Sequence, residues 1–249
     1  MGKQVMLDAR IFAGAYDISG NTNKITVASE IAEKDVTNFA SGGAKEVIGG
    51  LESWKLTGEG QWEAGAPGKV DNAMWAGRGQ VAAWTVCPNT ATVGDLAWLS
   101  KAVESAYTLG ATVGDVASWS ANAAGSYPLV RGVILHPPGT ARTDDGSGTA
   151  LQLGALAEGE RLHACLHVLS ASGAAPTLDV TIESDTEEAF GDTPETRLSF
   201  TQATGLTDEL VATAAAGVGG HADDWYRVAY DISEVGDESF LFVVSLGIG

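Results

Sequence analysis

Cysteine is almost missing from this chain. Only Cys87 and Cys165 occur in 249 residues, far apart and without a metal-type cysteine neighbour. A disulfide framework is therefore excluded as the organising principle. Proline is also scarce, at 7 against 32 glycines, so turns between strands must come largely from glycine. Positive charge is in short supply, with 14 Lys and Arg facing 32 Asp and Glu for a net charge of −18. That balance argues against a nonspecific grip on nucleic acid, which depends on Lys and Arg neutralising phosphates. An acidic surface repels DNA and equally aids solubility, and composition does not choose between these uses. No apolar run approaches the roughly 20 residues of a membrane span. The start, MGKQVMLDAR, has no apolar stretch behind its lysine, so the expectation is a soluble chain made in the cytoplasm rather than a secreted one. Gly-x-Ser-x-Gly, His-Glu-x-x-His and the phosphate-cradling Gly-x-x-x-x-Gly-Lys are all missing. Paired carboxylates for sugar hydrolysis need no local motif and stay open.

What is present suits a large core. Hydrophobic residues make up 45% of the chain, with 7 Trp. Charge is uneven: residues 1–130 hold 13 acidic and 9 basic side chains, residues 131–249 hold 19 and 5. Two units in different surroundings are expected, 1–126 and 127–249, joined through Tyr127-Pro128-Leu129. The nearly balanced half suits packing against copies of itself, and the acidic half suits a solvent-facing appendage.

Period-two patterning dominates. Residues 3–18 read as a strand turned at Gly14, and residues 24–29 as a second strand. Residues 30–38 read as a loop or short helix, and 45–49 as a short paired segment. The strongest strand signal spans 51–62. It sets Lys55, Thr57, Glu59 and Gln61 on a polar face and Trp54, Leu56 and Trp62 on the other. Gly58 and Gly60 lie on the aromatic face, where side chains would collide at a bend. Residues 70–77 allow one or two helical turns. Residues 92–106 predict a flanking helix, with Leu96, Leu99, Ala102, Val103 and Ala106 as its stripe and Thr92 or Asp95 as its cap. Residues 80–86 and 116–124 are further strands. Seven shorter strands follow at 129–135, 150–154, 161–171, 177–184, 196–203, 225–233 and 239–246, the spacing of a β-sandwich.

Several clusters invite chemistry. His163, Cys165 and His167 share one strand face, as metal ligands could, but no fourth ligand stands nearby, and a plain sheet face is the commoner outcome. Asp144-Asp145 and the run 185–188 lack the EF-hand spacing and read as solvated loop charge. His221, Asp223 and Asp224 follow a Gly-Gly turn and read as loop residues. Trp54, Trp62, Trp75, Trp84, Trp98 and Trp119 could stack sugars, although aromatics serve more often in cores and interfaces. No catalytic residue, metal site or cofactor is assigned.

Thr37, Phe39, Gly50, Leu51, Ser53, Gly58, Gly60 and Trp62 carry a family resemblance. Their order, a T-x-F element, a G-L joint and a strand of the form S-x-x-G-x-W, resembles the core segment of tail tube (major tail) proteins of long-tailed bacterial viruses. It covers about the first half of the chain. The second half, in TLDVTIESD, RLSFTQATG and SFLFVVSLGIG, looks more weakly like the jelly-roll appendages of some phage tail proteins. The resemblance implies a mainly β protein: an N-terminal tail-tube-like sandwich or barrel with one flanking helix, and a C-terminal jelly-roll-like β-sandwich. It implies a virion protein whose partners are itself, in stacked homo-hexameric rings, and other tail proteins. DNA would pass through the lumen without specific binding. Strands 3–11 and 51–62 would line the lumen, with Lys55, Thr57, Glu59 and Gln61 inward, although Lys55 departs from a uniformly acidic wall. Glu33, Lys34, Asp35, Asn38 and Phe39, in the loop 30–49, would contact the next ring. The C-terminal half would decorate the outside, with a host-surface glycan as candidate ligand. The rival readings are a carbohydrate-binding or adhesin module, a small hydrolase, and the tube of a contractile injection machine.

Overall fold

A computed structural model describes residues 5–65, 68–191, 194–233 and 237–249. The chain is mainly β. The first half runs β1 (Arg10–Ala13), β2 (Tyr16–Asp17), β3 (Thr22–Asp35), β4 (Val47–Gln61), α1 (Val70–Gly77), β5 (Val81–Cys87), β6 (Leu96–Gly110) and β7 (Ser118–Gly125). The second half runs β8 (Val130–His136), β9 (Gly146–Ser147), β10 (Leu151–Gln152), β11 (Leu162–Ser172), β12 (Leu178–Asp185), β13 (Glu195–Ser199), β14 (Thr207–Ala212), β15 (Trp225–Ile232) and β16 (Ser239–Ile248).

These strands form two antiparallel sheets. The larger runs β14-β11-β16-β8-β6-β5-β1-β2, with β7, β4 and β3 branching from β6. The branch arises because β6 is long. Its first residues, Leu96 to Leu99, pair with β8, and on the same edge Ala102 to Gly110 pair with β7. The link 126–129 therefore joins two strands that share one neighbour. The sheet passes across it without a break. The smaller sheet, β10-β15-β12-β13 with β9 on β15, lies over one face of β11 and β16. Alternate residues of those strands, Leu162, Ala164, Leu166, Val168, Phe242, Val244 and Leu246, meet Val180, Ile182, Tyr226 and Val228 in one core. This is the sandwich expected of the second half. A separate core gathers Trp54, Leu56, Trp84, Trp119, Ala121 and Ala123 around Met74 of α1.

All seven strands expected after residue 128 are present. The pattern missed β14, and also β9, which is only two residues long. In the first half the predicted helix over 92–106 is wrong: residues 96–110 are β6. Thr92 and Asp95 do have capping chemistry, but it closes a turn. The Thr92 amide and hydroxyl donate to Asp95 Oδ2 at 2.8 and 2.6 Å, and the Asp95 carbonyl accepts from the Ile134 amide at 2.9 Å. With β5 and β8 offering backbone on both edges, pairing outweighs the weak helical stripe, since tertiary pairing overrides local propensity. The helix is α1, in the segment read as one or two turns. Residues 30–35, read as loop or helix, continue β3. The strand expected from residue 3 begins at Arg10. Lys3 and Gln4 lie outside the described residues, and Val5 to Ala9 form no strand.

The collision expected at the two strand glycines is seen. A Cβ on Gly58 would sit 3.1 Å from Trp119, and one on Gly60 would sit 1.9 Å from the Asn21 carbonyl oxygen. Gly60→Ala is therefore expected to destabilise the protein by about 3 kcal/mol, because β3 must move off β4. Thermal unfolding checks it, and a variant within error of the parent would refute the contact.

Candidate assembly surfaces

β7 pairs with only the last half of β4, from Lys55 to Gln61. Residues 47–54 pair with β3 alone, through Asp35↔Val47 to Ser29↔Trp54. A two-stranded arm results, about 25 Å long at 3.3 Å per residue. Its loop is pre-shaped by polar side chains. The Thr37 amide donates to Asp35 Oδ1 at 2.8 Å, the Glu46 amide to Thr37 Oγ1 at 2.9 Å and the Ala40 amide to Asn38 Oδ1 at 2.8 Å. The Thr37 bonds hold the Asp35 carboxyl below its usual range. Gly42 and Gly43 take positive φ, +63° and +85°, which turns the chain back.

The arm concentrates exposed apolar side chains. Ile31, Val36, Val47, Ile48 and Leu51 are all exposed, and Phe39 is fully so at 111%. Such a concentration is what a contact surface shows, and single scattered apolar residues do not. An unsupported two-stranded ribbon is also only marginally stable in water. Of the residues singled out here from sequence, Glu33, Lys34 and Asp35 lie in β3, and Asn38 and Phe39 in the loop.

Lys55, Thr57, Glu59 and Gln61 do share one face of β4, opposite the buried Trp54 and Leu56. Their register neighbours extend that face across four strands: Thr26, Thr57, Asn122 and Ala106 in one row, Lys24, Glu59, Ser120 and Thr108 in the next. The face is polar but not acidic. Glu59 is paired with Lys24 at 2.5 Å, which leaves Lys55 as its unbalanced charge.

His163, Cys165 and His167 are brought together on β11, but buried, and Cys165 and His167 face the other half. The large sheet curls so that β11 and β14 lie against β5, with Ala83, Leu99, Val130, Cys165 and Leu210 between them. His167 Nδ1 donates to the Gly14 carbonyl at 2.7 Å, which leaves Nε2 to accept from Thr85 Oγ1 at 2.8 Å. Thr85 in turn meets Ser245 Oγ at 3.1 Å. Both ring nitrogens are thus engaged, and burial holds the imidazole below its usual pKa. His163 Nδ1 is engaged with the Tyr127 hydroxyl at 2.9 Å. Among the described residues no group of three or more His, Cys, Asp and Glu is placed to hold a metal. Burial pushes both thiols up to about 12. A thiol reagent at pH 8 is expected to label neither cysteine in the native protein and both after unfolding. Rapid native labelling would contradict this packing.

Of the remaining candidates, three carboxylates hold loops and strands in place. Asp145 Oδ1 accepts from the Ile232 amide at 2.7 Å, and Asp185 Oδ1 from the Glu187 amide at 3.2 Å. Asp223 binds Arg197 and Ser184, each at 2.6 Å. Trp54, Trp84 and Trp119 are buried, so the six tryptophans form no exposed platform. No helix among the described residues is long and apolar enough to cross a membrane.

No protein-family model matches the sequence, and no curated protein matches it. Solved structures do. A chain in the virion of a native gene transfer agent particle is 17% identical, with a TM-score of 0.42 over 51% of this chain and 97% of that one. A chain from the sheath/tube terminator of an extracellular contractile injection system is 10% identical, with a TM-score of 0.43 over 53% and 97%. The Dit protein of phage SPP1, described as a hub adsorption apparatus of phages infecting Gram-positive hosts, is 11% identical, with a TM-score of 0.36 over 97% and 99%.

Proposed function

We propose that this chain is a self-assembling structural subunit of a bacteriophage tail tube, located in the virion tail, and not an enzyme. The observation that carries the reading is the arm of β3 and β4: a pre-shaped, two-stranded, apolar extension that none of the described residues covers. A neighbouring copy would supply both the missing strand-edge support and the cover for Phe39. In this reading Glu33, Lys34, Asp35, Asn38 and Phe39 contact the next ring. Six copies close each ring, and the face of Lys55, Thr57, Glu59 and Gln61 lines the lumen. A polar face with its one acid paired offers DNA few phosphate contacts and little to repel it, which suits passage. Residues 1–126 form the tube unit and 127–249 the outer unit, which carries most of the negative charge. A host-surface glycan remains the candidate ligand of the outer unit, and glycan binding without assembly would belong to the rival reading of a carbohydrate-binding module.

Electron microscopy of the concentrated protein tests the proposal. Stacked rings or tubes with knobs outside are the expected result. Discrete rings that never stack would assign the chain to a single terminal ring. A persistent monomer that binds glycans would favour the rival reading.

A further inference from the structure

A pocket of about 300 Å³ opens between α1, the turn at Gly14 to Tyr16, β5 and the start of β14. Ala73, Met74, Ala82 and Leu206 give it an apolar wall, and Glu104, Asp208 and Trp84 line it with polar groups beside Gln80, Tyr16 and Thr207. Glu104 and Trp84 are each only 4% exposed. Glu104 Oε1 and Trp84 Nε1 nevertheless have no hydrogen-bond partner among the described residues, although each is a group that costs free energy to bury unpaired. Asp208 is already engaged, since its Oδ2 accepts from the Ala83 amide at 2.6 Å. Among the described residues no basic side chain lines the pocket.

An anion would meet two carboxylates here and no positive charge. A purely apolar ligand would leave both orphaned atoms unpaired. A group with a positive head and an apolar stem satisfies the pocket: the head on Glu104, the stem along Met74 and Leu206. We propose that this pocket binds an organic cation on an apolar stem, a primary ammonium or guanidinium, with Glu104 as its counter-ion. The indole N–H of Trp84 further selects a stem bearing an oxygen acceptor, as an acylated amine or a peptide does. The neighbouring Arg78 does not fill the role. Arg78 stacks on Trp75 at 3.5 Å, and burial still pushes the Glu104 carboxyl up to about 7 against the pull of Arg78.

The probe is Nα-acetyl-lysine N-methylamide, titrated into dilute protomer while the Trp84 indole N–H resonance is followed by NMR. The neutral control is the norleucine analogue. Saturable binding of the lysine probe is expected, weakened at least about tenfold by Glu104→Gln, as loss of a charge-assisted hydrogen bond implies. Leu206→Trp should block the mouth without unfolding the chain, because Leu206 is 47% exposed. No saturable shift, equal binding of both analogues, or unchanged affinity in Glu104→Gln overturns the proposal. The source of the cation is read separately under assembling conditions. If Glu104→Gln also weakens assembly, a second copy supplies it; if assembly is unchanged, a free amine does. Because binding is read on the protomer, failure of the tube reading would leave this result intact.

Discussion

Phe39→Asp is expected to abolish assembly while leaving the protomer folded. Phe39 is fully exposed among the described residues, so its loss removes no packing seen there. Surface changes of that kind stay within about 0.5 kcal/mol of the parent. In the assembly the account reverses. Covering a phenylalanine contributes about 2 to 3 kcal/mol, and a carboxylate in its place adds the cost of desolvating a charge. At 1.4 kcal/mol per tenfold, each contact weakens by roughly a hundredfold. In the proposed assembly every copy in a ring would make the contact, so the effect would compound along a tube. Sedimentation and microscopy of the variant beside its parent provide the check, with thermal unfolding to confirm the fold. Val218→Asp is the control: Val218 is 92% exposed but lies in the proposed outer unit, and its replacement should leave assembly intact. Normal tubes from Phe39→Asp would remove the arm from the interface.

Much of the fold was legible because strands buried on one face alternate. Residues 51–61 show it well, with Trp54, Leu56 and Gly58 buried and Lys55 and Thr57 exposed. The error at 92–106 has the opposite cause. β6 is flanked on both edges and buries residues of both faces, so its apolar residues are not confined to every second position, and a helical stripe can be drawn through them. β14 was missed because TDELVA has one buried residue, Leu210, and takes its partner from β11, about 40 residues earlier. The exposed apolar arm could have been found: Val36, Phe39, Val47, Ile48 and Leu51 stand near two glycine pairs, which rules out a local core. The pocket at Glu104 could not. A glutamate at residue 104 and a tryptophan at residue 84 become neighbours only when β6 lies on β5 and α1 closes above them.

His167→Ala is expected to be the most destabilising single substitution tested, at about 4 kcal/mol. It opens a cavity in a fully buried site and strips the Gly14 carbonyl and Thr85 hydroxyl of a partner at once. For a chain of this size the melting temperature should fall by about 10 °C. His167→Asn can restore the bond to the Gly14 carbonyl through its amide nitrogen and should recover part of the loss. The pH dependence isolates the mechanism. Burial depresses the folded pKa of His167, with Asp208 and Asp17 opposing it too weakly to win. Above about 6.5, the ordinary histidine pKa, both folded and unfolded chains hold a neutral ring, and the parent keeps its full advantage. Below it the unfolded chain binds a proton that the folded chain resists, so the parent loses stability as the pH falls. The alanine variant lacks that penalty. The gap between the two proteins should therefore narrow steadily as the pH drops from 6.5. His136, held down to about 4, and Glu104, held up to about 7, act on both proteins alike and cancel in the difference. A gap that stays constant down to pH 5 would mean that His167 is not a neutral, buried tie between the two halves.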